Sequence, residues 1–159
     1  MTDLDALYRK YAAEVFRFAL YLTGEHSDAE DITSETFVRA WTSSTPIELA
    51  TVRGYLFTIA RNLFLQSRRT SARSVALDED LTAGRASPLE ETEHRTELAA
   101  VVARLRTMPE IDRSALIMRA EYDMAYEEIA RALGISVSAA RVKVHRARLA
   151  LAGLRSGAS

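Results

Sequence analysis

Apolar residues return every three or four positions through most of this chain, and few residues break the pattern. Six glycines and three prolines among 159 residues leave room for long helices and little for a turn-rich β fold. A three-to-four spacing winds into a helix with one dry stripe. The expected fold is all-α, built as two small helical domains. Leu4, Leu7, Tyr8, Tyr11, Val15, Phe18, Ala19 and Leu22 write the first stripe. Gly24 ends that helix by taking the left-handed conformation that helix termini favour. Ser27 and Glu30 have the spacing of a capping box for a second helix, expected to bury Ile32, Phe37, Ala40 and Trp41 and to stop by Pro46. A third helix is predicted from about Leu49 to Arg69, with Val52, Tyr55, Leu56, Ile59 and Leu63 inward. Three such helices close a small common core.

The period lapses from about Arg73 to Ser87, where Gly84 and a run of acids read as a linker. It resumes near Pro88 and runs to about Arg106, with Leu98, Val102 and Leu105 inward. Thr107 and Glu110 frame another capping box around Pro109, a residue suited to a first helical turn. The next helix carries Ile111, Ala115, Leu116 and Met118. The sharpest local signal then spans Tyr126 to Val137. Ile129, Ala130 and Leu133 form the dry side of a short helix, Gly134 makes the turn, Ile135 plugs it and Ser136 caps a second helix. This is the spacing of a helix-turn-helix. Val137, Ala140, Val144, Ala147 and Leu151 supply the second helix's buried stripe.

The formal net charge of -1 is uninformative, but its distribution is not. Arg53, Arg61, Arg68, Arg69 and Arg73 fall in an acid-free stretch over 51–74. A second acid-free basic stretch begins at Ile129 and holds Arg131, Arg141, Lys143, Arg146, Arg148 and Arg155. Asp78, Glu79, Asp80, Glu90, Glu91, Glu93 and Glu97 dominate the ground between. Such blocks fit two contact surfaces for nucleic acid, or two solvated helix faces.

On the last helix Ser138, Arg141, His145 and Arg148 share one side, flanked by Lys143 and Arg146. That face suits a major groove, where arginine grips guanine and lysine neutralises phosphate. The alternative is an αα-hairpin with a basic exposed side. On the third helix Arg53, Phe57, Arg61, Phe64 and Arg68 interleave cations with rings, as single-strand binders do. Equally, the two phenylalanines pack on the first helix and leave ordinary arginines outside. Asp28, Asp31 and Glu35 line the second helix, either as a docking face for a basic protein or as a plain solvated side.

No cysteine is present, which removes disulfides, thiolate metal sites and thiol redox chemistry. No apolar run reaches the roughly 18 residues of a membrane span. The acidic start Met1–Asp5 does not match the basic front of a signal peptide, so a cytoplasmic protein is expected. His26, His94 and His145 are scattered, and no phosphate loop or nucleophile motif occurs. No enzymatic activity, metal or cofactor is expected.

Taken in order, these motifs resemble the sigma-70 family of bacterial transcription initiation factors, in particular its small extracytoplasmic-function (ECF) group. Residues 28–41, from Asp28 to Trp41, look like the family's helix for core RNA polymerase. Tyr55 to Asn62 looks like the segment that engages the promoter's minus-ten element, and Tyr126 to Arg148 like the reader of the minus-thirty-five element. The resemblance implies domains over 1–72 and 95–159 with a linker over 73–94. The early first helix and short linker leave no room for the extension and third domain of larger sigma factors. At roughly 3.3–3.6 Å per residue, about twenty extended residues reach at most about 65–70 Å. Promoter elements two helical turns apart, at about 34–36 Å per turn, fall within that reach.

The resemblance assigns Asp28, Asp31, Glu35, Phe37, Arg39 and Trp41 to core polymerase. It places Arg53, Tyr55, Phe57, Arg61, Asn62 and Arg68 at minus-ten DNA, where capture of a flipped base offsets unstacking. Ser138, Arg141, Lys143, His145, Arg146 and Arg148 fall to minus-thirty-five DNA, with Lys143 and Arg146 on phosphates. The implied partners are core RNA polymerase, duplex and melted promoter DNA, and a sequestering anti-sigma factor. Where the family often has Ser, this chain has Ala125, forgoing a cap worth about 1 kcal/mol. Ala139 and Val142 stand where hydroxyl residues are frequent, which shifts the expected contacts toward arginine. A regulator that mimics a sigma factor and titrates its partners is the alternative reading.

Overall fold

The apolar spacing is realised as seven helices in a computed structural model that describes residues 4–43, 52–77 and 93–157. Helix α1 (Leu4–Thr23) buries Val15, Phe18, Ala19 and Leu22, the second half of the predicted stripe, and leaves Leu4, Leu7 and Tyr11 half-buried. Tyr8, at its outer end, is instead exposed. Gly24 takes φ +71° and closes the helix with an N–H to Leu20 O bond of 2.7 Å. A Cβ at this position would come within 2.9 Å of Arg106 Cδ, because the end of α4 lies against the turn.

Helix α2 (His26–Thr42) is capped by Glu25, two residues before the expected cap Ser27. The Glu25 carboxylate accepts from Asp28 N at 3.1 Å, so no Ser27–Glu30 box forms. Ile32 and Phe37 are buried as expected, but Trp41 is 68% exposed and is no part of the core. The helix has turned that ring to solvent before it ends. Helix α3 (Val52–Leu77) runs well past Arg69, making residues 73–77 of the expected linker helical. Its buried side is Leu56, Phe57, Ala60, Leu63 and Phe64, while Tyr55 and Ile59 are only half-buried. The expected start at Leu49, the stop at Pro46, the restart at Pro88, the packing of Leu98 and linker residues 78–92 lie outside the described residues, while Glu93 and His94, also expected in the linker, are helical.

Helix α4 (Glu93–Arg106) buries Leu105 and leaves Val102 half-buried. The Thr107–Glu110 box is not formed. Pro109 is the cap residue of α5 (Glu110–Ala120), Thr107 Oγ1 donates to Arg104 O at 2.7 Å, and the Glu110 carboxylate is engaged elsewhere. Helix α5 is buried almost all round, including Asp112, Arg113 and Ser114. It can be so because α6 and α7 cover one side while α1 and α3 cover the other.

Helix α6 (Tyr126–Leu133) and helix α7 (Val137–Gly157) form the helix-turn-helix. Gly134 has φ +70°, and Ile135 N donates back to Ala130 O at 3.0 Å. Ser136 Oγ caps α7 by accepting from Ala139 N at 3.0 Å. At Ala125 only the reciprocal half of a capping box exists, with Ala125 N donating to Glu128 Oε1 at 3.0 Å. Ala140, Val144 and Ala147 are fully buried, and Val137 and Leu151 half-buried. Among the described residues there is no strand, and no helix is long and apolar enough to cross a membrane.

The two halves, α1–α3 and α4–α7, share one continuous apolar core. Phe57 stacks on Phe18 within the first half at 4.4 Å between ring centroids, and meets Tyr122 of the second half at 4.9 Å. Tyr122 also donates its hydroxyl to Glu14 O at 3.0 Å.

Candidate nucleic-acid interface

Helix α7 is positioned by the stripe opposite its cations. With Ala140, Val144 and Ala147 pinned inward, the 3.6-residue turn leaves Ser138, Arg141, His145, Arg146 and Arg148 exposed and Lys143 half-buried. Two of these cations are held by neighbours. The Arg141 guanidinium lies 5.1 Å from the centroid of the Tyr126 ring, which Arg119 also approaches at 4.4 Å. Arg146 reaches back to within 3.9 Å of Asp112, a carboxylate that is 2% exposed. Tyr126 and Asp112 were not singled out by the sequence reading. Neither a ring at a helix start nor a buried carboxylate in another helix leaves a periodic mark. Val142 and Leu149 are exposed beside this basic face.

The candidates on α3 are divided. Asn62 and Arg68 are exposed, with Arg68 lying 5.5 Å over the Phe64 ring. Phe57 and Phe64 are buried, as the packing alternative for these rings has it. Arg53 binds Glu14 (Nε to Oε1, 2.8 Å) and donates to Tyr122 O at 3.3 Å. Arg61 meets Glu110 of α5 with two nitrogens, one bond being Nη2 to Oε1 at 2.9 Å, and Ser114 Oγ donates to the same carboxylate at 2.8 Å.

Arg113 completes this contact. It is 3% exposed, donates to Leu22 O at 3.3 Å and lies 5.6 Å over the Phe64 ring. Its Nε has no partner among the described residues. Burial pushes its pKa down to about 10, against the raising effect of Glu110, so it stays charged at neutral pH.

On α2, Asp28, Asp31 and Glu35 are exposed, and Arg39 pairs with Glu35 at 3.2 Å. With Ile32, Leu63 and Ser67 the three acids line a cleft of about 200 Å³. A second groove of about 590 Å³ runs between α1 and α2 past Tyr8, Phe16, Glu30 and Asp31. Phe37 is buried edge-on against Tyr8, while Val38 and Trp41 are exposed. Among the described residues no cluster of His, Asp and Glu could hold a metal ion.

Comparison with known proteins gives this arrangement a class. Residues 7–74 match the model of Sigma-70 region 2, and residues 98–151 that of Sigma-70 region 4. The ECF RNA polymerase sigma factor SigE of Mycolicibacterium smegmatis is 36% identical over 154 residues, covering 93% of this chain and 60% of that protein. SigL of Mycobacterium tuberculosis, also an ECF sigma factor, is 34% identical over 156 residues, covering 93% and 86%. The chain belongs to the sigma-70 family of RNA polymerase sigma factors. Within that family it is a member of the ECF group.

Solved structures agree on the fold across both halves. The sigma factor RpoE of Bartonella quintana, solved in complex with the anti-sigma factor NepR, superposes with a TM-score of 0.80 at 23% identity and covers 98% of each chain. CnrH, solved with the cytosolic domain of CnrY, gives 0.74 at 24% identity, covering 98% of this chain and 89% of that one.

Proposed function

We propose that this chain binds core RNA polymerase, directs it to specific promoters and helps open the minus-ten element. Asp28, Asp31, Glu35 and Trp41 on α2 form the polymerase face. Arg141, His145 and Arg148 read the minus-thirty-five duplex, with Lys143 and Arg146 on phosphate. Arg53, Tyr55, Arg61, Asn62 and Arg68 on α3 hold unpaired minus-ten bases. Residues 1–72 and 95–159 are the working domains and 73–94 the tether. The chain performs no catalysis of its own, acts in the cytoplasm and is a target for a sequestering anti-sigma protein.

The exposed cationic side of α7 carries this reading. It projects from a helix-turn-helix whose opposite stripe is closed in the core. A duplex groove takes such a side directly. Reconstituted transcription tests it: the chain plus core polymerase should give discrete start sites on a library of genomic fragments. No promoter-specific transcript on any fragment, with polymerase binding retained, would replace the initiator with a partner-titrating mimic.

A further inference from the structure

Val142 is an apolar residue of α7 to which neither the core nor the proposed duplex contacts give a task. At about 100° per residue, it points roughly 170° away from the mean direction of the buried Ala140, Val144 and Ala147. It therefore stands on the outward crest of the helix, 48% exposed and outside the apolar core of the described residues. Its neighbours one turn away include Ser138, His145 and Arg146, all exposed. Arg141 and Arg148 run along one flank of the crest and Arg146 along the other, a charge pattern that suits a polyanion. A β-branched side chain is also a mediocre helix former, and no burial compensates for that here.

A recognition helix lies in the major groove and makes its base contacts through its N-terminal residues. Val142 falls in the second turn of α7, which starts at Val137, whereas the exposed Leu149 stands about 10 Å further along the axis. The crest of such a helix comes closest to the base edges. In that groove A, G and C offer hydrogen-bonding groups, and T alone adds a methyl. Valine can satisfy no donor or acceptor, and a polar group left unpaired in a closed interface is costly. The thymine methyl is the group it can cover with a gain.

We infer that Val142 is a specificity-determining contact, packing its methyls on the C5-methyl of one thymine in the minus-thirty-five element. The inference rests on the assignment of α7 to that duplex and adds an apolar reader to its arginines. The arginines select guanine by donating hydrogen bonds; Val142 selects thymine by excluding water from a methyl.

The test uses the holoenzyme formed by this chain and core polymerase. Binding-site selection over a randomised minus-thirty-five region should yield a thymine that Val142→Ser no longer prefers. Serine matches valine closely in helix propensity and the position is exposed, so the variant keeps the helix. Deoxyuracil in place of that thymine removes the methyl and leaves every hydrogen-bonding group. The wild-type holoenzyme should then lose about fourfold in affinity, the worth of one small apolar group returned to water. The Val142→Ser holoenzyme should bind the two duplexes alike, and these results together support the inference. An element selected without thymine, or a uracil duplex bound as tightly by the wild type, overturns the Val142 contact and leaves the duplex assignment standing. An equal uracil penalty in both holoenzymes overturns it too, by giving the methyl to another residue. Loss of core polymerase binding in Val142→Ser overturns it by making Val142 a protein contact. Selection at no position overturns the assignment of α7 to the duplex itself.

Discussion

Phe37 and Trp41 sit one turn apart on α2, and both are large aromatics in a stretch the sequence reads as inward. Phe37 is 4% exposed and packed on Tyr8, whereas Trp41 is 68% exposed. Their substitution should therefore separate folding from docking. Phe37→Ala is expected to cost about 3–5 kcal/mol in urea unfolding through the cavity it leaves. Trp41→Ala should stay within about 0.5 kcal/mol of the wild type. It should nonetheless weaken core polymerase in a pull-down, since exposed tryptophans serve as anchors at protein interfaces. Arg141, steadied over Tyr126, is expected to read a base: Arg141→Ala should lose about 1–3 kcal/mol at one minus-thirty-five position in a binding-site selection. A uniform loss over all sequences would instead assign it to phosphate.

Among the elements, α6 and α7 were the most legible. Gly134, Ser136 and the Ile129–Leu133 spacing each fix a local geometry that needs no distant partner. Ala125 is the gap in that design. Glu128 already supplies the returning bond, so Ala125→Ser should complete the box and raise stability by about 0.5–2 kcal/mol, visible as a higher urea midpoint. The expected caps at Ser27 and Thr107 failed for distinct reasons. Glu25 caps the α2 terminus two residues sooner, and the Glu110 carboxylate is drawn to Arg61. Helix α5 was the least legible element. Its Asp112, Arg113 and Ser114 look like a solvent face, yet they are buried because a second layer of helices supplies their surroundings. Apolar periodicity records which side of a helix is dry; it carries no record of polar groups paired across the fold.

At the scale of the molecule, the same limit explains why two halves were foreseen and their contact was not. Arg17 with Glu121, Arg61 with Glu110 and Arg113 with Leu22 O join residues far apart in sequence, through polar atoms. Tyr122 gives this contact a pH signature. Burial first, and Glu121 second, push its phenol well above the usual tyrosine value. The folded chain thus keeps this proton longer than the unfolded one. Its contribution is complete below about pH 10 and is lost as pH rises through the folded value. Arg113, with its pKa lowered to about 10, acts in the opposite sense over that range. Denaturation midpoints compared at about pH 8 and pH 11 should accordingly fall less for Tyr122→Phe than for the wild type.

The turn at Gly24 ties these scales together. Its positive φ is a local demand of the α1–α2 corner, but the space beside it is filled by the shaft of Arg106 from the other half. A side chain gained there would be felt twice, once as backbone strain and once as a shove against α4. Descendants of this sequence that lose the glycine should therefore carry a shorter residue at 106, and a survey of such pairs would reveal the docked posture as something inheritance has protected.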